Sequence, residues 1–400
     1  MGPLKNNSLA DENALFLLDL IEKEGYEARI VGGAVRNFLL GREIADVDMA
    51  VSATPTEIID ICRQRGLKVI PSGIEYGSVT VLLDGRAYEI TTLREDVKTF
   101  GRHAEIKFSK SFRRDSDRRD FTMNAVYADK RGKIYDYHSG IEDIFSGNVK
   151  FIGDPKRRIT EDYLRIFRYF RFVAGYGNYN CNREYLEIIS ELKNGVKIIS
   201  SERIISELLK TFEMPDSHRI VPSMREIADE LFSLRFDALG LCARLGIFES
   251  LSGSERLAML LKFSDRNDLP NAFNFPKNIR EMLLLPNETD RREIFIKLKR
   301  MKKEFRIFYA KFWTVNACSK GACSEAEAEN ILKELLSFCE SEYADFKLKA
   351  KDLADYDLSV GELGKVMASV KKSWATVDKL SVAGCKKTAS EIIGTLRNKK

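Results

Sequence analysis

The sequence predicts an α+β fold, with a mixed head of short strands and helices over about the first 150 residues and a wholly helical remainder. Three observations carry that expectation. Short β-branched runs alternate with helical stretches in the first third of the chain. A strong two-residue hairpin signal, Asp84-Gly85, lies between two apolar runs. From about residue 155 the strand signals fade and helical periodicity dominates, with breaks near Pro215, Pro270, Pro276 and Pro286.

Each element follows from a local pattern. Residues 28–31 read as a strand that ends in Gly32-Gly33, and a helix follows through Leu40. Residues 45–51 alternate polar and apolar side chains, as a half-buried strand does. Residues 55–65 look helical, and 76–83 and 86–93 form the arms of the hairpin. The charged stretch 94–117 has little periodicity and is expected to be a mobile loop. Residues 154–172 read as a helix in which Leu164, Phe167 and Phe170 thread between charges. The resulting plan is a head over 1–150, a neck over 151–215, a body over 216–300 and a tail over 301–400.

Composition narrows the function classes. A chain of 400 residues is too long for one ordinary core, and 44% apolar with 31% charged residues is a globular balance. No run approaches the roughly 20 apolar residues that span a bilayer, so no membrane partner is expected. The polar opening carries acids early and does not read as a signal peptide, which points to the cytoplasm. Seven scattered cysteines without a CxxC pair argue against a disulfide framework or a zinc site, and three histidines argue against a histidine-rich metal centre. The net charge of +5 announces no nucleic-acid binder by itself. Lys297, Lys299, Arg300, Lys302, Lys303 and Arg306 cluster, however, and read equally as a solvated helix face or a phosphate-binding one.

The chemistry concentrates in Asp46-Val47-Asp48. On a strand, carboxylates at i and i+2 point to one face, where they repel each other. Magnesium relieves that repulsion, and carboxylates with substrate phosphates are its usual ligands. Exposed loop acids are the plainer reading of such a pair taken alone. Just upstream, Val31-Gly32-Gly33-Ala34-Val35-Arg36 closes a strand and opens a helix. Glycines there admit backbone N–H groups to a triphosphate, and Arg36 supplies a fixed positive charge; a simple tight turn is the alternative. Glu89, on the second hairpin strand, is either a third carboxylate of the site or an ordinary strand-edge acid.

Together with three further blocks, these residues resemble the class II CCA-adding enzyme and bacterial poly(A) polymerase family of nucleotidyltransferases. The first motif is Val31 to Arg36 with Asp46-Val-Asp48, where Asn37 stands in place of the usual Asp. Gly73-Ile-Glu-Tyr-Gly77 and Tyr88-Glu-Ile-Thr-Thr-Leu-Arg94 look like the hairpin of the CCA-adding branch. Arg118-Arg-Asp-Phe-Thr-Met-Asn-Ala125 matches the second motif, whose arginine before the aspartate, Arg119, is implied to contact nucleotide phosphates or sugar. A helix-start salt bridge is the bland alternative for Arg119. Asp154 to Phe172 is the third block and carries Glu161-Asp162-Tyr-Leu-Arg165. The resemblance runs over about residues 25–215, through Ser201 to Lys210, and thins beyond to Asp352-Leu, Gly361-Glu-Leu-Gly364 and Trp374.

The resemblance implies a polymerase-beta-like nucleotidyltransferase head, a helical neck and a tail that cups tRNA by shape. It implies that Asp46 and Asp48 hold Mg2+ and catalyse, that Gly33, Arg36 and Arg119 bind the nucleotide, and that Asp162 and Arg165 template the incoming base. Arg168 and Arg171 would hold the nucleotide and its helix, since arginines on so aromatic a helix need acceptors. On a continuous helix Asp162 and Arg165 would be neighbours at i, i+3, which also fits an exposed ion pair. The template role is chemically sound: cytosine and adenine both offer an amine donor beside a ring-nitrogen acceptor, matching a carboxylate and a guanidinium. Guanine and uracil present the reverse pattern, and mismatched polar groups discriminate strongly. The implied reaction is addition of CCA to the 3′ end of tRNA from CTP and ATP. A CC- or A-adding specialist, a poly(A) polymerase and a catalytically silent RNA-binding protein are the rivals. The poly(A) branch usually carries a basic segment after the carboxylate pair, and Met49-Ala-Val-Ser-Ala-Thr-Pro55 has none. An NAD site is excluded because GGAVRN lacks the third glycine.

Overall fold

The computed structural model describes residues 9–100, 103–287, 290, 293–341, 344–356, 358–377 and 380–397. The chain divides into two compact units, Met1–Leu231 and Phe232–Lys400. The first unit opens with α1 (Glu12–Lys23), β1 (Ala28–Val31), α2 (Gly33–Leu39), β2 (Asp48–Val51), α3 (Pro55–Gln64) and β3 (Lys68–Gly73). Next come β4 (Ser78–Leu83), β5 (Arg86–Thr92), β6 (Arg94–Phe100), β7 (His103–Phe108), α4 (Phe112–Asp117), β8 (Val126–Ala128), β9 (Ile134–Asp136) and α5 (Gly140–Ser146). Beyond them only helices follow among the described residues: α6 (Pro155–Glu161), α7 (Leu164–Tyr176), α8 (Arg183–Leu192), α9 (Ser201–Phe212) and α10 (Arg225–Phe232). The α+β reading of the sequence is what the structure shows.

Seven strands form one sheet in the order β3-β4-β5-β2-β1-β8-β9. β2 runs parallel to β5 and antiparallel to β1, so the strand bearing Asp48 lies mid-sheet. The hairpin turn is the one the dipeptide demands, with Asp84 at φ 49° and Gly85 at φ 76°. β2 is shorter than its alternation suggests. Its partner β1 ends at Val31, opposite Asp48, so residues 45–47 have no ladder to join and Asp46 lies in the approach loop.

Two expectations need correction. Residues 94–117 are not a loop: β6 and β7 pair as a separate two-stranded antiparallel ribbon, and α4 follows, capped by Ser111. A ribbon outside the main sheet has no core to face, so its sequence lacks the alternation that identifies a strand. Nor is 154–172 one helix. α6 stops at Glu161, Asp162 is extended at φ −154° and ψ 106°, and α7 begins at Leu164. Asp162 Oδ1 accepts the Leu164 N–H at 3.1 Å, a local bond that competes with helix continuation. Leu164, Phe167 and Phe170 are buried as their spacing requires. Phe121 lies 5.1 Å from Phe172 and 6.4 Å from Tyr169 between ring centroids, which seats α7 on the second motif.

The second unit holds α11 (Phe236–Arg244), α12 (Gly253–Lys262), α13 (Leu269–Ala272), α14 (Lys277–Leu283), α15 (Ile294–Arg300), α16 (Lys303–Ser319), α17 (Glu325–Glu340), α18 (Val360–Thr376) and α19 (Val382–Arg397). Pro270 and Pro276 stand at helix starts, where a missing N–H costs nothing. The basic cluster is neither a uniform solvated face nor a uniform phosphate-binding one. Lys299 is buried and its Nζ donates to the carbonyls of Trp374 and Val377 at 3.0 and 2.7 Å, tying α15 to the end of α18. Arg306 is buried against Asp345 at 2.6 Å, and Lys302 pairs with Glu281 at 2.9 Å. Among the described residues, no helix is long and apolar enough to cross a membrane.

Candidate active site

Asp46 and Asp48 are both exposed, while Met49 and Ala50 behind them are buried. Carrying the Met49–Ile90 register back one residue sets Asp48 beside Glu89, also exposed. The Asp48 carboxyl is held above the ordinary carboxylate range. Loss of surrounding water contributes most, Glu89 next, and Asp46 adds a smaller push, while Arg119 pulls the other way. Asp48 and Glu89 side by side on the sheet, with Asp46 in the loop before them, repel one another, a cost that a hard cation relieves. Among the described residues, no group of three or more His, Cys, Asp or Glu converges to hold a metal by itself.

Gly32 closes β1 at φ 72° and caps α2, and Gly33 is that helix's first residue. A side chain on Gly32 would point at Arg119, with Cβ 3.9 Å from Nη1. Arg119 is anchored from behind: Nε and Nη2 donate to Asp115 Oδ2 at 3.3 and 3.1 Å, and Nε to the Tyr127 hydroxyl at 3.1 Å. Its remaining nitrogen, Nη1, lies near the glycine turn, where the Asn124 carbonyl is nearer still at 3.5 Å from that Cβ. The salt-bridge reading of Arg119 and the nucleotide reading are thus compatible.

Asp115 is a residue that the sequence reading missed. Burial favours its neutral form, but Arg119 and Arg118 outweigh burial and hold the carboxyl down to about 2. A depressed carboxylate stabilises the fold above its unfolded pKa and loses that contribution as pH falls through the folded value. The loss here is expected between about pH 4 and pH 2 and is on the order of 2 kcal/mol. Urea unfolding at pH 5 and at pH 2.5 should show it in the wild type and not in Asp115→Asn; an equal acid loss in both would remove Asp115 from the account.

Arg36 packs inward beside the turn, with Nη2 3.7 Å from where a Cβ on Gly33 would stand. It is buried, donates to Asn124 Oδ1 and, at 2.6 Å, to the Tyr176 hydroxyl, and stacks on the Tyr176 ring at 3.9 Å. Asn37 accepts from Arg36 and from Tyr176 at 3.3 and 3.1 Å and donates to the Glu43 carbonyl at 2.9 Å. The Arg36 charge therefore joins α2, the second motif and α7.

The neck arginines each have acceptors inside the protein. Arg165 donates to Glu161 Oε2 at 2.7 Å and to the Arg158 carbonyl at 2.6 Å. Asp162, off the helix, accepts from Arg203 of α9 at 2.6 Å. The two side chains meet at the α6–α7 break, each with its own partner rather than with each other, while the Arg165 N–H donates to the Asp162 carbonyl at 3.0 Å. Arg168 holds Asp120 at 2.6 Å, and Arg171 donates to the buried Glu207 at 2.7 Å. Asp115, Asp120, Glu161, Arg203 and Glu207 all lie in or beside the quoted motifs. The surplus of arginine there was the signal for the acids. Arg168→Ala should leave the buried Asp120 carboxylate without its partner and destabilise the first unit by about 3–5 kcal/mol. Calorimetry would read this as a lowered melting temperature, and an unchanged one would mean that water replaces the guanidinium.

Residues 28–150 match the family described as the Poly A polymerase head domain. Over 208 residues the chain is 43% identical to human mitochondrial CCA tRNA nucleotidyltransferase 1, covering 51% of this chain and 48% of that protein. It is 38% identical over 217 residues to the CCA-adding enzyme of a Geobacillus sp., covering 54% and 52%. The chain thus spans about half the length of the curated relatives it matches. The Bacillus stearothermophilus CCA-adding enzyme in complex with CTP superposes with a TM-score of 0.67 at 25% identity, over 96% of this chain and 98% of that one. The Thermotoga maritima CCA-adding enzyme complexed with tRNA superposes at 0.65 and 16% identity, over 96% and 97% of the chains, and speaks for the fold.

Proposed function

We propose that this chain, which belongs through its head to the Poly A polymerase head-domain family and has the fold of the CCA-adding enzymes, adds CCA to the 3′ end of tRNA from CTP and ATP. The observation that carries the reading is the setting of Asp48 beside Glu89 on the head sheet, with Asp46 in the loop before it and Arg119 Nη1 near the Gly32 turn at the end of the neighbouring strand. That arrangement supports a cation held beside a triphosphate.

In this reading the RNA 3′-hydroxyl oxygen bonds to the α-phosphorus while the bond to pyrophosphate breaks, with no covalent enzyme intermediate. Asp46 and Asp48 would hold Mg2+, which when bound neutralises charge on the attacking and leaving oxygens. Arg119 meets the nucleotide phosphates or sugar beside the backbone of Gly32 and Gly33, and Arg36 fixes α2 behind them. Asp162 accepts from the base amine: a carboxylate offers about four lone-pair sites, of which Leu164 and Arg203 take two. Arg165 keeps free N–H donors for the ring nitrogen after meeting Glu161 and Arg158. Arg168 and Arg171 hold α7 against the second motif and α9. The head over 1–150 and the neck over 151–215 would carry the chemistry, and the body over 216–300 and the tail over 301–400 would cup the tRNA. A cytoplasmic place of work belongs to the same reading, and fractionation of tagged protein checks it.

The direct test is end extension of three tRNA transcripts, ending at the discriminator base, after C and after CC, each given CTP, ATP, GTP or UTP with magnesium. Ordered C, C, A addition that then stops supports the proposal. Growth only from the CC end would make it an A-adding enzyme, and an unlimited A tail a poly(A) polymerase. Tight tRNA binding without extension would favour a silent RNA-binding protein.

A further inference from the structure

Gly195 lies in the short 3-10 turn Lys193–Ile198 between α8 and α9. A Cβ at this position would fall within the ring of Tyr163, against Cε1, Cδ1 and Cζ. The backbone of Gly195 is not in the left-handed region, so close approach, rather than conformation, is what requires glycine. Tyr163 is the residue between Asp162 and Leu164, at the break where α6 gives way to α7. Eight positions beyond Gly195, Arg203 holds Asp162 Oδ2 at 2.6 Å. One segment therefore grips two consecutive residues of the break, the ring of Tyr163 and the carboxylate of Asp162.

That grip has a physical purpose. Asp162 is extended at the break, where its carbonyl accepts the Arg165 N–H at 3.0 Å and its carboxylate is held by the Leu164 N–H and by Arg203. A group that must meet a base edge needs rigid support from its neighbours, and a misplacement of about 1 Å can cost about 10²-fold. We propose that Gly195 and Tyr163 form a specificity-determining positioning pair, in which the ring seated on the glycine backbone sets the direction of Asp162 and hence which bases are accepted. The proposal rests on the reading of Asp162 and Arg165 as the selectors of C and A.

The test is a double-mutant cycle of Gly195→Ala and Tyr163→Leu in the full chain, read as kcat/KM for CTP, ATP, UTP and GTP on the same tRNA ends. Gly195→Ala should lower the CTP-to-UTP ratio by about tenfold or more and raise KM for CTP more than it lowers kcat. Tyr163→Leu should lower the ratio as well. Adding Gly195→Ala to Tyr163→Leu should then change little, because the ring it collides with is gone. Equal losses for all four nucleotides with an intact ratio, or strictly additive losses in the double variant, would overturn the pairing. If Gly195→Ala does not fold, Tyr163→Leu decides alone, since it adds no atoms to the site, and an unchanged ratio there refutes the proposal. A wild-type protein with no preference for C and A would sink the underlying reading instead, which sets the two failures apart.

Discussion

Asp48→Asn is expected to lower nucleotide incorporation by about 10³-fold or more, on the order of 4 kcal/mol in the barrier, while tRNA binding is retained. The same substitution should leave the melting temperature unchanged or raise it. The sign follows from the charges. The folded Asp48 carboxyl is raised by lost hydration, by Glu89 and by Asp46, so the stability it adds is full below its unfolded pKa and is lost as pH rises through the folded value. At neutral pH the ionised group is a net cost to the fold, and the neutral isostere removes it. A structural acid behaves oppositely: Asp120 or Asp115, each held below the carboxylate range by arginines, should lose stability when neutralised. Single-turnover extension and a thermal melt on the same preparation separate the cases. Full activity would take Asp48 out of the chemistry, and lost activity with a large fall in melting temperature would recast it as part of the fold.

What the sequence disclosed and what it hid divide along a physical line. The hairpin at Asp84-Gly85, the Gly32 turn and the burial of Leu164, Phe167 and Phe170 were legible because each follows from local periodicity or from a φ that few residues adopt. The end of β2 was not, because it depends on where β1 runs out, and Asp46 consequently left the strand it was expected to share with Asp48. The β6–β7 ribbon was hidden for a related reason: strands without a core face carry no alternation. The neck was misjudged through a single side chain. Asp162 trades the helix for a bond to Leu164, a choice that spacing alone does not reveal. Arginine partners were the least legible feature. Arg36, Arg165, Arg168 and Arg171 looked like charges waiting for a nucleotide, yet Tyr176, Glu161, Asp120 and Glu207 reach them across 140, 4, 48 and 36 residues. Lys299 and Arg306 show the same effect in the second unit. Arg119, by contrast, has one nitrogen near the glycine turn.

Asp162→Ala should cost the protein its choice of base more than its chemistry. The carboxylate is acceptor-only when ionised, and it meets an amine on cytosine or adenine but a carbonyl on uracil or guanine. A site that must pair a buried polar group rejects the wrong partner strongly, so removing the carboxylate should lower the CTP-to-UTP ratio of kcat/KM by about 10²-fold. Most of that change should come from slower CTP use, since UTP gains only relief from repulsion. Asp162→Asn separates acceptor from shape: its amide can donate to a carbonyl, so UTP use should exceed that of Asp162→Ala, although Arg165 still faces a ring N–H. Arg203 supplies the control, because it touches Asp162 and not the base in this arrangement. Arg203→Ala should loosen selection by a smaller factor, and Arg203→Ala combined with Asp162→Ala should match Asp162→Ala alone. If Asp162→Ala instead lowers all four nucleotides equally, Asp162 is a strut of the α6–α7 break, and base selection must be sought in other side chains near Arg165.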